Sequence, residues 1–428
     1  MLKNLIHRNK QIIENTGYLS FIEGMRMALP FVALPYLIRT VGANNYGLVI
    51  FAQTIISYFV IFINFGLDIS AVKDVAENRD NPEKLNIVVS SVLLIKLILL
   101  IIAFTVLSVA LILIPTLREH YLLYLFAFLT CFSEVLFPVW FFLGIEKMKY
   151  LAWIRISSIT FYTICIFTFI HHQSDYEYIA LFQSLGNLLS GILAIYFLLK
   201  IEKIRLLLPT IKEVKTYFNE SIPFFVSRLS CVFNTAICKT LCGIFFSMQA
   251  VAAFDLVLKL TQGATVPALI LNQSTYPYNA KNKNKLFAQK FFYITVLLSI
   301  FITVICYTCA PFIIRIFAGD AMPEAILILK IACIYIFCGN LTMYLGTPIL
   351  VAWGCPSPFN KSVIYSTFLL WGICILIIIF NFFTPNTLIL ALGIVELYLL
   401  IYRLYYCYYY KIFKLRIINL FVANNNYL

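Results

Sequence analysis

Residues 87–114 read IVVSSVLLIKLILLIIAFTVLSVALILI, an apolar run with one charge, Lys96. A helix crosses a bilayer with about 20 mostly apolar residues, and this run exceeds that length. Around it, the 428-residue chain is 62% hydrophobic and only 12% charged. A soluble domain is about half apolar and roughly one quarter charged. There is too little polar side chain to cover a globule, so a soluble multidomain protein is excluded and the bilayer is the solvent.

Working outward, comparable runs fall at 17–41, 46–72, 121–144, 151–170 and 178–199. A second set falls at 221–246, 250–280, 291–314, 325–353, 362–383 and 388–410. The expected fold is an all-α integral membrane protein with about 12 transmembrane helices. Runs longer than 20 residues are absorbed by tilt or a polar turn. Residues 1–16, MLKNLIHRNKQIIENT, put Leu2, Leu5, Ile6, Ile12 and Ile13 near one helical face, which predicts an amphipathic interfacial helix. They are not read as a signal peptide, because the segment that follows carries Glu23 and Arg26.

The formal net charge is +13, from 32 Lys+Arg against 19 Asp+Glu. Its placement separates nucleic-acid binding from membrane topology. With the N-terminus cytoplasmic, the cytoplasmic gaps collect nearly all the loop bases, such as Lys73, Arg79 and Lys84. The opposite loops hold only Arg118 and Arg315. That asymmetry is the positive-inside pattern; it predicts both termini in the cytoplasm and no nucleic-acid partner.

The gap 200–220 is the longest interior polar stretch and divides the chain nearly in half. Ile201, Ile204, Leu208, Ile211 and Val214 recur in it at helical spacing between lysines, which predicts a linker on the inner leaflet. The domains expected are the helix 1–16, a six-helix bundle 17–199, the cytoplasmic interfacial linker 200–220, a second six-helix bundle 221–410, and a cytoplasmic tail 411–428. An offset of about 205 residues places VGANNYGLVIFAQ (41–53) over FSMQAVAAFDLVL (246–258), each a polar connection between long helices.

Charges inside the spans carry the functional reading. The bases are Arg26, Arg39, Lys96, Arg155, Arg228, Lys239, Lys259, Lys330 and Arg403; the acids are Glu23, Asp68, Glu134, Asp255 and Glu396. Each costs about 2.5–3.5 kcal/mol at mid-bilayer on insertion scales, so they are expected to line water, pair or snorkel. Arg39, Lys96, Arg155 and Lys330 are expected to snorkel from span ends. Glu23 with Arg26, and Asp255 with Lys259, have helical pair spacing, as more loosely do Glu396 and Arg403; pairing and cavity lining both remain open for them. Arg228 and Lys239 share a helix without an acid of their own. Eleven residues apart, they lie on one face about 16 Å apart in depth. Asp68 is either a helix-end residue in water or a proton or cation site. The excess of bases suits an anionic passenger.

No nucleotide-binding GxxxxGK[ST], HExxH or GxSxG pattern occurs, and no catalytic residue, metal site or cofactor is expected. His171 and His172 read as solvated loop residues. The 12 cysteines, Cys306 and Cys309 of TVICYTCAPF included, read as small buried hydrophobes.

The stretch PYLIRTVGANNYGLVIFAQTIISYFVIFINFGLDISAVKDVAENRD (35–80) resembles the most recognisable block of the bacterial O-antigen flippases, the Wzx group of the MATE-like polysaccharide exporters. WFFLGIEKMKYL (140–151), ESIPFFVSRLS (220–230) and FAGDAMPEAILILKI (317–331) resemble later blocks in the same order. Leu143 stands where that pattern carries a polar residue such as Gln. The resemblance implies two six-helix bundles around a central cationic cavity in the bacterial cytoplasmic (inner) membrane. It implies an undecaprenyl-diphosphate-linked oligosaccharide turned from the inner to the outer leaflet by alternating access, coupled to an H+ or Na+ gradient, for lipopolysaccharide O-antigen assembly. A polysaccharide polymerase and a chain-length regulator are the implied partners, besides membrane lipid. The matching substrate-binding positions are Arg26, Arg228, Lys239 and Lys259; those for ion coupling or cavity ion pairs are Glu23, Asp68 and Asp255.

The cargo fits the charges. An unpaired charge dragged through hydrocarbon meets a Born penalty of tens of kcal/mol, and a fixed guanidinium replaces lost hydration with a bidentate fork. A cation or drug antiporter of the same fold would favour acidic intramembrane charge. A membrane polymerase would carry a large outer loop with catalytic residues.

Overall fold

The computed structural model describes residues 31–413, with the side chains of 226, 227 and 230–233 left out of the description. The expected helix 1–16, Glu23, Arg26 and the tail beyond 413 lie outside the described residues. Among those described, every regular element is helical. Ten helices among the described residues are long and apolar enough to cross a membrane. The chain is an all-α, multi-pass membrane protein of about twelve transmembrane helices.

Contacts group the chain into two compact units, one ending at Ala252 and one starting at Ala253. The first holds α1 (described over Phe31–Val41), α2 (Ala43–Asn64), α3 (Leu67–Glu77), α4 (Pro82–Leu113) and the single turn α5 (Pro115–Arg118). It continues with α6 (Tyr121–Leu136), α7 (Val139–Gly144), α8 (Met148–Phe169), α9 (Tyr176–Tyr196) and α10 (Ile211–Phe245). α2 and α9 both pack on α6, and α8 packs on α9. Small polar residues allow the close approach: Thr130 and Ser184 share a hydrogen bond of 2.8 Å between α6 and α9. Gln53 Nε2 donates to Gln183 Oε1 at 2.6 Å beside a cavity of about 140 Å³.

Two spans of this unit are broken. The run 46–72 divides at Phe65 and Gly66, both with left-handed backbone (φ 44° and 72°), into α2 and α3. The run 121–144 divides at Phe137–Pro138 into α6 and α7. The two half-helices beyond the breaks, α3 and α7, pack against each other. Gly144 makes this possible: a Cβ there would stand 2.6 Å from Val75 Cγ1.

The linker departs from one amphipathic helix. A π-helical turn ends at Ile201, and residues 203–210 have no regular structure. Their backbone donors are taken by α4 instead: Arg205 N–H by Asn86 Oδ1 (2.8 Å) and Leu207 N–H by Ser90 Oγ (2.9 Å). Pro209 disfavours helix in the residue before it, and Thr210 then opens α10 with a capping box. The Thr210 hydroxyl accepts from Glu213 N–H, and Glu213 Oε2 accepts from Thr210 N–H at 2.7 Å. The Thr210 N–H, together with the Thr210 hydroxyl that donates to the same Oε2 at 2.8 Å, holds the Glu213 carboxyl below the usual carboxylate range.

The second unit holds most of α11 (Met248–Asn282), then α12 (Lys285–Thr308), α13 (Ala310–Ala318), α14 (Glu324–Tyr344), α15 (Pro356–Ile379) and α16 (Pro385–Tyr409). Its core gathers Phe292, Tyr344, Leu345, Ile349, Leu350 and Cys407. α14 passes into a π-helical stretch, Leu345–Val351, that contains Pro348. Carbonyls around this irregular stretch are capped by side chains: Asn279 Nδ2 donates to Pro348 O (3.1 Å) and Arg403 Nη1 to Thr342 O (2.7 Å).

One in-span charge sits elsewhere than expected. Lys96 does not snorkel; it is 2% exposed. Arg155 lies 4.4 Å over the Phe137 ring, and Lys330 5.5 Å from the Tyr307 ring centre. Glu396 and Arg403 meet through Thr342, whose hydroxyl donates to Glu396 Oε2 at 2.7 Å. Most cysteines are buried, as apolar spans require, but Cys306 is half-buried and Cys309 exposed because α12 ends at Thr308.

Candidate functional site

The break in the second span builds the site. Gly66 tolerates its positive φ without a side chain, and α10 exploits the space: a Cβ would lie 2.6 Å from Phe225 N. Phe65 stacks between Phe218 and Phe225 of α10, with ring centres at 4.4 and 4.5 Å. Ser70 and Ser221 share a 2.8 Å hydrogen bond a turn further on. The restart at Leu67 puts Asp68 in the first turn of α3, where the helix dipole favours an anion.

Arg228 on α10 pairs with Asp68, Nη2 to Oδ2 at 2.9 Å. Arg228 therefore has an acid after all, on another helix and far away in sequence. Its side chain remains 48% exposed, against 21% for Asp68. Asp68 Oδ1 is buried with no hydrogen-bond partner among the described residues. α10 runs unbroken past Pro223, so the helical spacing between Arg228 and the half-buried Lys239 holds. Next to Lys239, Thr240 meets Tyr58 OH at 2.9 Å.

Behind the break lies a cluster that no motif announced. Lys96 Nζ donates to Asn64 Oδ1 (2.7 Å) and to the Glu134 carbonyl (3.1 Å), while Asn64 Nδ2 donates to Glu134 Oε2 (3.0 Å). A signal for it was present: Pro138 has no N–H, so the carbonyl four residues earlier, that of Glu134, loses its helical donor.

In the second unit Asp255 and Lys259 form the pair that their spacing allowed, at 2.7 Å. Asp255 is 1% exposed and Lys259 30%. The structure thus brings the predicted residues together as Asp68 with Arg228 and Asp255 with Lys259. Glu23 and Arg26 lie outside the described residues.

A family model described as polysaccharide biosynthesis protein matches residues 12–283. A protein of Escherichia coli strain K12 named for O-antigen transport is 24% identical over 364 residues, 82% of this chain and 86% of that one. A Shigella dysenteriae protein of the same name is 27% identical, over 65% of this chain and 72% of that one. Among solved structures, the lipid II flippase MurJ in an inward closed conformation aligns with a TM-score of 0.72 at 15% identity, covering 91% of this chain and 87% of that one. An inward-facing MATE family transporter of the MOP superfamily aligns at 0.70 and 14% identity, covering 90% and 94%. Fold and matches together define the class: an integral membrane transporter, not an enzyme. The chain belongs to the polysaccharide biosynthesis protein family, and the resemblance read in residues 35–80 is borne out.

Proposed function

We propose that the protein flips an undecaprenyl-diphosphate-linked O-antigen or similar oligosaccharide from the cytoplasmic to the periplasmic leaflet of the bacterial inner membrane by alternating access. The observation that carries this reading is Arg228, a half-exposed guanidinium whose partner carboxylate, Asp68, sits at a helix break. A fork of this kind receives phosphate oxygens in place of a carboxylate. Family membership and the names of the relatives support a polysaccharide cargo.

In this scheme the cargo's prenyl tail stays in lipid while diphosphate and sugars cross through water beside fixed cations. Arg228 and Lys239 offer cations at two levels of α10, and Arg26 and Lys259 are the further substrate-binding positions. Asp68, one oxygen of which has no partner among the described residues, and Glu23 and Asp255 are the coupling groups for H+ or Na+. Both termini face the cytoplasm, and a polymerase and chain-length regulator receive the product.

Deletion of the gene tests this directly. It is expected to trap the lipid-linked oligosaccharide on the inner leaflet and abolish long surface chains. Unchanged surface polysaccharide with no trapped intermediate would refute it.

A further inference from the structure

We propose that Lys96 is a positioning residue that ties the two helix breaks together and thereby sets the Asp68–Arg228 pair. The inference rests on the flippase reading for its transport assay and on geometry alone for its structural one.

Lys96 is buried in α4 and meets both breaks at once. Asn64 is the last residue of α2, immediately before Phe65 and Gly66. Glu134 is two residues from the end of α6 at Leu136, and three residues before Phe137. The ammonium takes the carbonyl that Pro138 leaves without a donor, and holds the Asn64 amide that in turn holds the Glu134 carboxylate. Burying an ammonium costs several kcal/mol unless its partners are well placed, so a lysine solely for packing would be a poor solution here.

Beyond the breaks, α3 and α7 are joined to each other at Val75 and Gly144. They form a pair of half-helices, each attached to its parent helix through a non-helical joint. Asp68 rides on the first turn of α3. Any swing of that pair carries Asp68 toward or away from Arg228, and Lys96 is the shared anchor on the other side of both joints. Asn64 and Glu134 are the groups through which it acts.

The test is a double-mutant cycle on export in a deletion strain. Lys96→Met is expected to lower export at least tenfold at unchanged protein level. Pro138→Ala, which restores a backbone donor for Glu134 and keeps every charge, is expected to do the same should Lys96→Met fail to accumulate. In an Asp68→Asn background neither substitution is expected to add a further loss, because both act through Asp68. Equal fold-losses in both backgrounds, or wild-type export from both variants, would overturn the proposal.

A second readout does not depend on the cargo. Spin labels at Ala76 on α3 and Ser174 in the turn just before α9 are expected to give one narrow distance distribution in the purified protein. Lys96→Met and Pro138→Ala are expected to broaden it or add a second distance. Unaltered distributions would overturn the positioning role even if flipping is confirmed. Altered distributions, with no transport by the wild type, would sustain the anchor and remove the flippase reading instead.

Discussion

Arg228 and Asp68, 160 residues apart in sequence, lie 2.9 Å apart across the break that separates α2 from α3. Arg228 is half-exposed, so the pair is worth little to stability, on the order of 0–1 kcal/mol. A weak internal pair is what exchange requires. A phosphate can displace Asp68 without a large penalty, and the returning carboxylate assists release.

Arg228→Ala is expected to reduce export at least tenfold while protein level stays unchanged; Arg228→Lys, a cation without the fork, is expected to fall between the two. Quantified surface polysaccharide against immunoblotted protein checks this. Wild-type export from Arg228→Ala would remove the residue from the transport path.

Asp68→Asn separates competition from coupling. The neutral amide keeps the shape and loses the charge, so binding of inorganic pyrophosphate to purified protein is expected to tighten several-fold. Transport against an imposed pH or sodium gradient is expected to lose its dependence on that gradient. An Asp68→Asn variant that matches the wild type in both would exclude the acid from either role.

The α3–α7 contact admits no added atoms at Gly144. Gly144→Ala is expected to cost about 1–3 kcal/mol through overpacking against Val75, and the second change Val75→Ala to recover part of it. Thermal unfolding in detergent reads both. Equal stability of Gly144→Ala and the wild type would mean that the half-helices are free to separate.

Arg403 is 6% exposed and bonded to Thr342 O and Ser362 Oγ, with Phe359 beneath it at 4.8 Å. Arg403→Met leaves the carbonyl unsatisfied and Glu396 without a nearby cation, at a cost of roughly 2 kcal/mol or more. The unfolding midpoint is expected to drop. A variant as stable as the wild type would show that the π-helical stretch does not depend on this clamp.

The capping box of α10 has a defined pH dependence. Glu213 titrates below its unfolded value, so its contribution is present above the ordinary carboxylate range and is lost as pH falls through the folded value. Hydrogen exchange of the first turn of α10 is expected to accelerate on acidification and, in Thr210→Val, at all pH values. Exchange indifferent to both changes would show that this helix end is held by other contacts.

Much of this architecture was readable from one dimension. Hydropathy located the spans because each must exceed the same thickness of hydrocarbon, and the offset of about 205 residues aligns the starts of α2 at Ala43 and α11 at Met248. The Asp255–Lys259 pair was legible because both ends sit on one helix face. Arg228 and Asp68 were not, since pairing between helices depends on which faces meet. Lys96 was misread as a snorkelling residue because periodicity gives no measure of depth within a bundle. Pro138 was the clue to it: a carbonyl deprived of its donor inside a membrane demands another.

The most direct test uses purified protein in vesicles with a fluorescent, undecaprenyl-diphosphate-linked oligosaccharide and a membrane-impermeant quencher. Wild-type protein is expected to expose the inner-leaflet pool to the quencher, and Arg228→Ala protein to leave it protected, as in protein-free vesicles. Equal protection with and without the wild-type protein would refute flipping by this protein.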